Sequence, residues 1–363
     1  MVHRSFLKFI KRAVLAESVA VALLMSIWIF SAIEEDDAVS AVAGEASAQE
    51  SGEKDYIKWV DFTVSYEALC QAYAWDVDTH GTEHEVHWIE LLAYTAAKSG
   101  GKFDKKALSV WEKTADALSE GEECIEELTE DMKYYSYYKE AYEAALGGLV
   151  GEYEEEMEDE NGNKVYQSRY GLKAYFPLAR GFDYSHYDDF GTGRSYGYKR
   201  KHLGHDMMGL TGTPIMAIES GTVEALGWNQ YGGWRIGIRS FDGKRYYYYA
   251  HLRQNYPYAE HLEEGSVVTA GDVIGYMGHT GYSTRENVNN IEVTHLHWGL
   301  ELIFDESQKE SNNEIWIDVY PLTRFLAKHT QPAVKVEGTK EWVRANCIKD
   351  PEVEKVHEEI KLP

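Results

Sequence analysis

Hydrophobic and polar positions fall into four successive patterns along the chain. Residues 13–33, "AVLAESVAVALLMSIWIFSAI", are apolar apart from Glu17 and a few serines. As a helix rising 1.5 Å per residue, this run reaches roughly 31 Å, about one bilayer core. From Tyr56 to about Leu149, "SYEALCQAYAW", "EVHWIELLAYTAAKSG" and "KALSVWEKTADALSEGEECIEELTEDMKYYSYYKEAYEAAL" repeat apolar residues three and four apart. That period predicts amphipathic helices, broken at "SGG" and "SEG". Asn161-Gly162 then lies between alternating stretches, a hairpin signal. From about Gly171 to Leu322 the chain reads as short strands punctuated by glycine: "GTPIMAIESGTVEALGW", "WRIGIRSFDGKRYYYYAHL", "GSVVTAGDVIGYMGHTGYS" and "HLHWGLELIF". Strands of this length and spacing predict an antiparallel sandwich or barrel. No internal repeat of 20 to 50 residues is visible.

The fold class expected is α+β and multidomain: an N-terminal membrane helix, a small helical domain, then a mainly antiparallel β domain with a groove. The divisions are a cytoplasmic tail (1–12), a transmembrane anchor (13–33), an Ala/Ser/Glu/Gly-rich linker (34–55) and a helical domain (56–150). A hairpin connector (151–170), the β domain (171–330) and a charged C-terminal tail (331–363) complete it. Arg4, Lys8, Lys11 and Arg12 before the apolar run, and "EEDD" (34–37) after it, orient a single pass with the remainder outside the cytoplasm. The alternative is a cleaved secretory signal, with "AVA" (41–43) or "ASA" (46–48) as the cut site, which leaves the mature chain in the same compartment.

Composition narrows the partners. A formal charge of −25 over 363 residues repels phosphate backbones and argues against nucleic acid. It repels other anionic polymers as well. Cys70, Cys124 and Cys347 are too few for a disulfide scaffold and lack zinc-motif spacing; Cys70 and Cys124 could pair.

Candidate chemistry gathers on histidines. In "VTHLHWGLEL", His295 and His297 are two apart on a strand and face one side, while Leu296 and Trp298 face the other. Two buried imidazoles on one face both need partners, and a metal supplies them. "KRKHLGHDMMG" offers His202, His205 and Asp206. His202 and Asp206 would be roughly 13 Å apart on an extended strand, so the bend that Gly204 permits is needed for them to converge. His205 points away from Asp206 in such a geometry. Two imidazoles and a carboxylate make a three-ligand zinc site with one open position. His251, ending "YYYYAHL", is a further proton carrier suited to neutral pH. Spacing alone leaves open whether His295 and His297 both ligate.

His202-x-x-x-Asp206, Tyr249-Ala-His251-Leu252 and His295-x-His297, in this order, resemble the lysostaphin-type (LytM-like) zinc metallopeptidases, which cut peptidoglycan peptides. "DDFGTGRSYG", "GTPIMAIESGTVEALGW" and "GSVVTAGDVIGYMGHTGYS" resemble the segments that accompany these motifs, and the likeness spans about residues 171–325. It implies Zn2+ held by His202, Asp206 and His297, with His251 and His295 as the catalytic pair. The function it implies is that of a membrane-anchored extracytoplasmic zinc endopeptidase acting on stem peptides or crossbridges of peptidoglycan, with cell-wall, division or sporulation proteins as possible partners of the helical domain. The alternatives are a non-catalytic wall-binding scaffold or activator of the same fold, and a protease of glycine-rich proteins. One departure is "TRENVNNIEV" (284–293), inserted before the last motif and expected as a loop on the groove rim.

Other candidates are weaker. His80, His84 and His87 in "THGTEHEVHWIE" lack the H-E-x-x-H spacing and are expected as surface or capping residues. "EDENGNKVYQSRYG" has the acidity of a calcium loop without its ligand spacing. Trp228, Tyr231 and Trp234, crowded around "NQYGG", are core residues by default and a substrate wall by alternative.

Overall fold

The computed structural model describes residues 56–195, 199–309 and 311–361. The tail, anchor and linker expected over 1–55 lie outside the described residues. Among those described, no helix is long and apolar enough to cross a membrane.

The helical region begins with α1 (Tyr66–Thr79), where the Ser65 hydroxyl accepts from the Ala68 N–H at 3.2 Å. α2 (Trp88–Ser99) stops at Gly100, whose φ of 67° suits a residue without Cβ. α3 (Lys105–Ser119) is capped by Asp104; α4 (Ile125–Thr129) and α5 (Tyr135–Leu146) follow. On α2, Trp88, Ile89, Leu91, Leu92, Ala93 and Ala96 are all buried, so apolar surface runs round most of the helix. Such a helix needs cover on more than one side. α1, α3 and α5 pack against it, and Phe325 stacks on Trp88 at 6.1 Å. The helical residues therefore share one continuous core with the β residues, where the sequence reading separates a domain at 150.

β1 (Val150–Glu158) and β2 (Lys164–Leu172) form the expected hairpin. Its turn is built on Asp159, whose Oδ1 accepts from the N–H groups of Asn161 and Asn163 at 2.8 Å each. The short strands β3 (Ser185–His186), β4 (Gly193–Ser195) and β5 (Lys199–Lys201) lead to β6 (His205–Met208) and β7 (Pro214–Met216). Next come β8 (Gly221–Asn229), β9 (Gly233–Ser240), β10 (Arg245–Ala250), β11 (Val267–Val268) and β12 (Val273–Tyr276). β13 (His295–Leu302) and β14 (Ile315–Trp316) complete the region, followed by α6 (Tyr320–Leu326). The main sheet of the described residues is antiparallel, in the order β11-β8-β9-β10-β13-β6-β3, with β14 also on β13. Alternation explains "YYYY": Tyr247 and Tyr249 point into the core, while Tyr248 faces the cleft.

Residues 331–363 differ from the charged tail expected. β15 (Ala333–Lys335) and β16 (Trp342–Arg344) pair, β17 (Ile348–Lys349) adds to β1, and α7 (Pro351–Lys361) follows. The charges mislead because they find partners: Lys349 pairs with Glu154 at 2.8 Å and Asp350 with Lys173 at 2.9 Å, while Ile348 and Val353 are buried. Cys70, Cys124 and Cys347 are all free, so Cys70 and Cys124 do not pair.

Candidate active site

Sheet register builds the site. β13 lies between β10 and β6, with His297 opposite both Ala250 and Asp206. Directly paired residues share a face, so Asp206 and His297 converge. His202 reaches them from the turn before β6. Its Nε2 lies 3.1 Å from Asp206 Oδ1 and 3.1 Å from His297 Nδ1, and His297 Nδ1 lies 2.8 Å from Asp206 Oδ1. These are the only His, Cys, Asp or Glu side chains among the described residues whose atoms close on one point in this way.

The donor set fits zinc. Nitrogen ligands about 2.0–2.1 Å from a tetrahedral ion are about 3.3 Å from one another, close to these separations. Protonation fits too. His202 Nδ1 sits 3.0 Å from Asp189 Oδ1, a carboxylate oxygen that favours the tautomer with its proton on Nδ1, the one whose Nε2 lone pair can ligate. Burial would push the Asp206 carboxyl up, but the His202 and His297 rings close beside it outweigh burial and hold the carboxyl well below the usual range. Burial also lowers His297 against the pull of Asp206, favouring the neutral ring that a ligand needs.

The bend at Gly204 is present, but its missing side chain has another use. A Cβ there would stand 2.5 Å from His297 Cε1 and 2.6 Å from Nε2, so the ligand ring occupies the space over the glycine. His205 turns to the far face of β6, with Nε2 2.8 Å from His186 Nδ1. Burial and the neighbouring His186 push it down to about 4, and it takes no part in the cluster.

His251 and His295 stand beside the three. Their rings are 4.7 Å apart, and the His251 ring is 5.8 Å from that of His297. His251 Nδ1 donates to Thr280 O at 3.0 Å and His295 Nδ1 to Val293 O at 2.7 Å. Each ring is thereby fixed with its proton on Nδ1 and Nε2 free to accept. His295 Nε2 points towards Asp206 Oδ1, 3.8 Å away. Burial, then the imidazoles of His295 and His297, drive His251 well below its ordinary value, so it is neutral at pH 7. Its backbone φ is 63°, a left-handed value costly for a residue with Cβ, and the His251 N–H to Gly232 O bond of 2.7 Å holds it.

A cleft of 680 Å³ opens over this centre, lined by Arg194, Arg200, Tyr231, Tyr282, Glu314 and Trp316 among others. Of the three aromatics around "NQYGG", only Tyr231 lines it. Trp228 and Trp234 meet edge to face at 5.7 Å and donate to Ser283 O and Asn287 Oδ1. Residues 284–293 do not line the cleft either. Asn287 anchors them, accepting from Trp234 Nε1 and the Asn255 N–H at 2.9 Å each, and Asn290 Nδ2 donates to Tyr282 O at 2.7 Å. His80 stacks on Tyr170 at 3.4 Å and joins no metal-like group with His84 and His87.

Sequence reasoning missed Asp189 and Arg194. Arg194 Nη2 donates to Asp189 Oδ2 at 2.5 Å and pairs with Asp206 Oδ2 at 2.8 Å, leaving Oδ1 for the centre. The available signal was an acid and a base around Gly191 and Gly193 shortly before the first ligand.

Comparison with known proteins agrees with this geometry. The profile of peptidase family M23 matches residues 200–311. An L-Ala–D-Glu endopeptidase of Bacillus subtilis (strain 168) is 36% identical over 155 residues, 42% of this chain and 44% of that protein. Lysostaphin of Staphylococcus staphylolyticus is 38% identical over 89 residues, 24% of this chain and 18% of that protein. The chain thus spans less than half the length of these curated relatives. A Ruminococcus gnavus ATCC 29149 crystal structure, provisionally named glycyl-glycine endopeptidase lytM, superposes with a TM-score of 0.50 at 24% identity. It covers 74% of this chain and 90% of that one, a likeness of fold.

Proposed function

We propose, from the match of residues 200–311 to the profile of peptidase family M23, that the chain is a membrane-anchored, extracytoplasmic zinc endopeptidase that cuts peptide bonds in peptidoglycan. One observation carries the reading: His202, Asp206 and His297 converge in a cleft beside two further imidazoles whose tautomers leave Nε2 unprotonated. Zinc bound here would be held by His202, Asp206 and His297, and would supply an acidified water and a polarised carbonyl. One of the two further rings, His251 or His295, takes the attacking water's proton on Nε2; the imidazolium so formed faces the oxyanion of the scissile carbonyl and then gives that proton to the departing amine nitrogen. Asp189 and Arg194 keep His202 and Asp206 aimed. A scaffold without catalysis would not need all five positions filled.

The compartment follows from the basic flank and the apolar run of residues 13–33, and the substrate class from the named relatives. Purified full-length chain, loaded with zinc, is incubated with peptidoglycan, and the products are read by mass spectrometry. New amine and carboxyl termini are expected, abolished by chelator and by His297→Ala, which also loses its zinc. Intact polymer with the loaded protein, or equal zinc and turnover in the variant, rejects the reading.

A further inference from the structure

The cleft runs against the charge of the chain. The whole carries −25, yet Arg194, Arg200 and Lys201 line the cleft, against only Asp206 and Glu314. Arg194 is committed to Asp189 and Asp206. Arg200 is placed differently, and among the described residues it makes no ion pair with a carboxylate. Its guanidinium lies 5.6 Å from the centre of the Tyr231 ring and 5.1 Å from that of Tyr282, and it donates to the Tyr282 hydroxyl.

This is a built mount. Tyr282 has a φ of 47°, costly for a bulky residue, and is held there through its backbone: its N–H reaches Tyr231 O at 3.3 Å and its carbonyl accepts from Asn290 Nδ2 at 2.7 Å. The hydrogen bond to Tyr282 uses Nη2, and the remaining N–H groups of the guanidinium form an edge that can meet a carboxylate. Tyr282 stands 6.0 Å, ring to ring, from His251. An extended peptide advances about 3.3 Å per residue, so the fork is within reach of side chains flanking the bond above the centre.

We propose that Arg200 is a specificity-determining residue: it binds a free carboxylate on a residue beside the scissile bond, so the preferred substrates are acidic peptides, cut faster than their carboxamide counterparts. The proposal rests on the peptidase reading and narrows its substrate class. The insertion at 284–293 then serves selection indirectly, by fixing the tyrosine that holds the arginine.

The test uses zinc-loaded full-length protein and pairs of muropeptides that differ only in carrying a carboxylate or a carboxamide next to the cleaved bond. For the unaltered chain, kcat/KM is expected to favour the carboxylate form by roughly tenfold or more, the scale of a charge-assisted hydrogen bond. Arg200→Gln should bring the ratio close to one with zinc content unchanged, and Arg200→Lys should keep part of the preference. Circular dichroism checks that both variants fold. Equal cleavage of the pair by the unaltered chain overturns the proposal. So does an equal loss on both substrates in Arg200→Gln, the mark of a purely structural bracket. Cleavage of neither substrate by the unaltered chain defeats the peptidase reading itself, and this inference falls with it.

Discussion

His251 pairs a strained backbone with an unprotonated Nε2, and the two belong together. The left-handed φ turns the chain at the end of β10 so that Nδ1 meets Thr280 O and Nε2 is left for the cleft. Nothing in that arrangement touches the three converging atoms, so His251→Ala should retain metal while the turnover rate falls by about 10²–10⁴, the usual worth of a general acid or base. Zinc analysis alongside steady-state rates decides it, and an unaltered rate would remove His251 from the chemistry. Legibility in the sequence divides along the same line. His202, Asp206, His251, His295 and His297 are rare residue types in meaningful spacings and can be picked out by eye. Asp189, Arg194, Arg200 and Tyr282 are ordinary loop residues, and only folding shows that their side chains point inward. Gly204 was legible as a glycine that mattered, for a reason that sequence could not supply: the ring it accommodates belongs to a strand some ninety residues away.

At the scale of elements, alternation along β13 sets the cleft chemistry and also leaves an oddity. His295, His297 and Glu301 share one face, and Glu301 is buried with Oε1 lacking a partner among the described residues. Burial, then Glu314 nearby, pushes its carboxyl up to about 8 against the moderating charges of Lys309 and Arg239. The folded chain therefore keeps this proton while the unfolded chain, near the ordinary 4.5, has released it. Stability from this group is lost as pH rises from about 4.5 to about 8. Glu301→Gln removes the titration and keeps the shape. Urea midpoints at pH 5 and pH 8.5 should show the variant gaining on the unaltered chain at the higher pH, whereas a constant difference would mean that Glu301 titrates normally. The short strands and glycine turns were readable as elements because period two survives in them. Their order was not, because pairing β13 between β10 and β6 depends on contacts far apart in sequence. Residues 331–361 escaped for a related reason: their charges are matched by acids and bases of the β1–β2 region, which no local pattern records.

At the scale of the whole molecule, helices and sheet are joined by a buried ionic latch at the start of the strand that leads to His251. Arg245 is almost fully buried. Its Nε and Nη2 bind the two oxygens of Glu219 at 2.8 and 3.1 Å, and Nη2 also reaches Asp242 at 2.8 Å. Nη1 donates to the carbonyls of Glu143 and Ala144, at 3.2 and 3.0 Å, near the end of α5. Tyr247 donates to Glu219 Oε2 at 2.6 Å, so a residue of β10 is tied to the same carboxylate. Burial alone would lower the guanidinium, but Glu219 dominates and keeps it charged. Removing one member of such a pair strands the other in a dry site, at a cost of about 3–5 kcal/mol, whereas replacing both with apolar groups is often close to neutral. Arg245→Met should therefore destabilise the chain by about that amount, and adding Glu219→Met should recover most of it, less the bond lost by Tyr247. Because the core is continuous, far-ultraviolet dichroism, which weights the helices, and tryptophan fluorescence should give one coincident urea transition in the unaltered protein. A helical region that served only as a spacer between anchor and catalyst would give two separated transitions, and Arg245→Met would then shift neither by as much as 1 kcal/mol, within the range of an ordinary surface substitution.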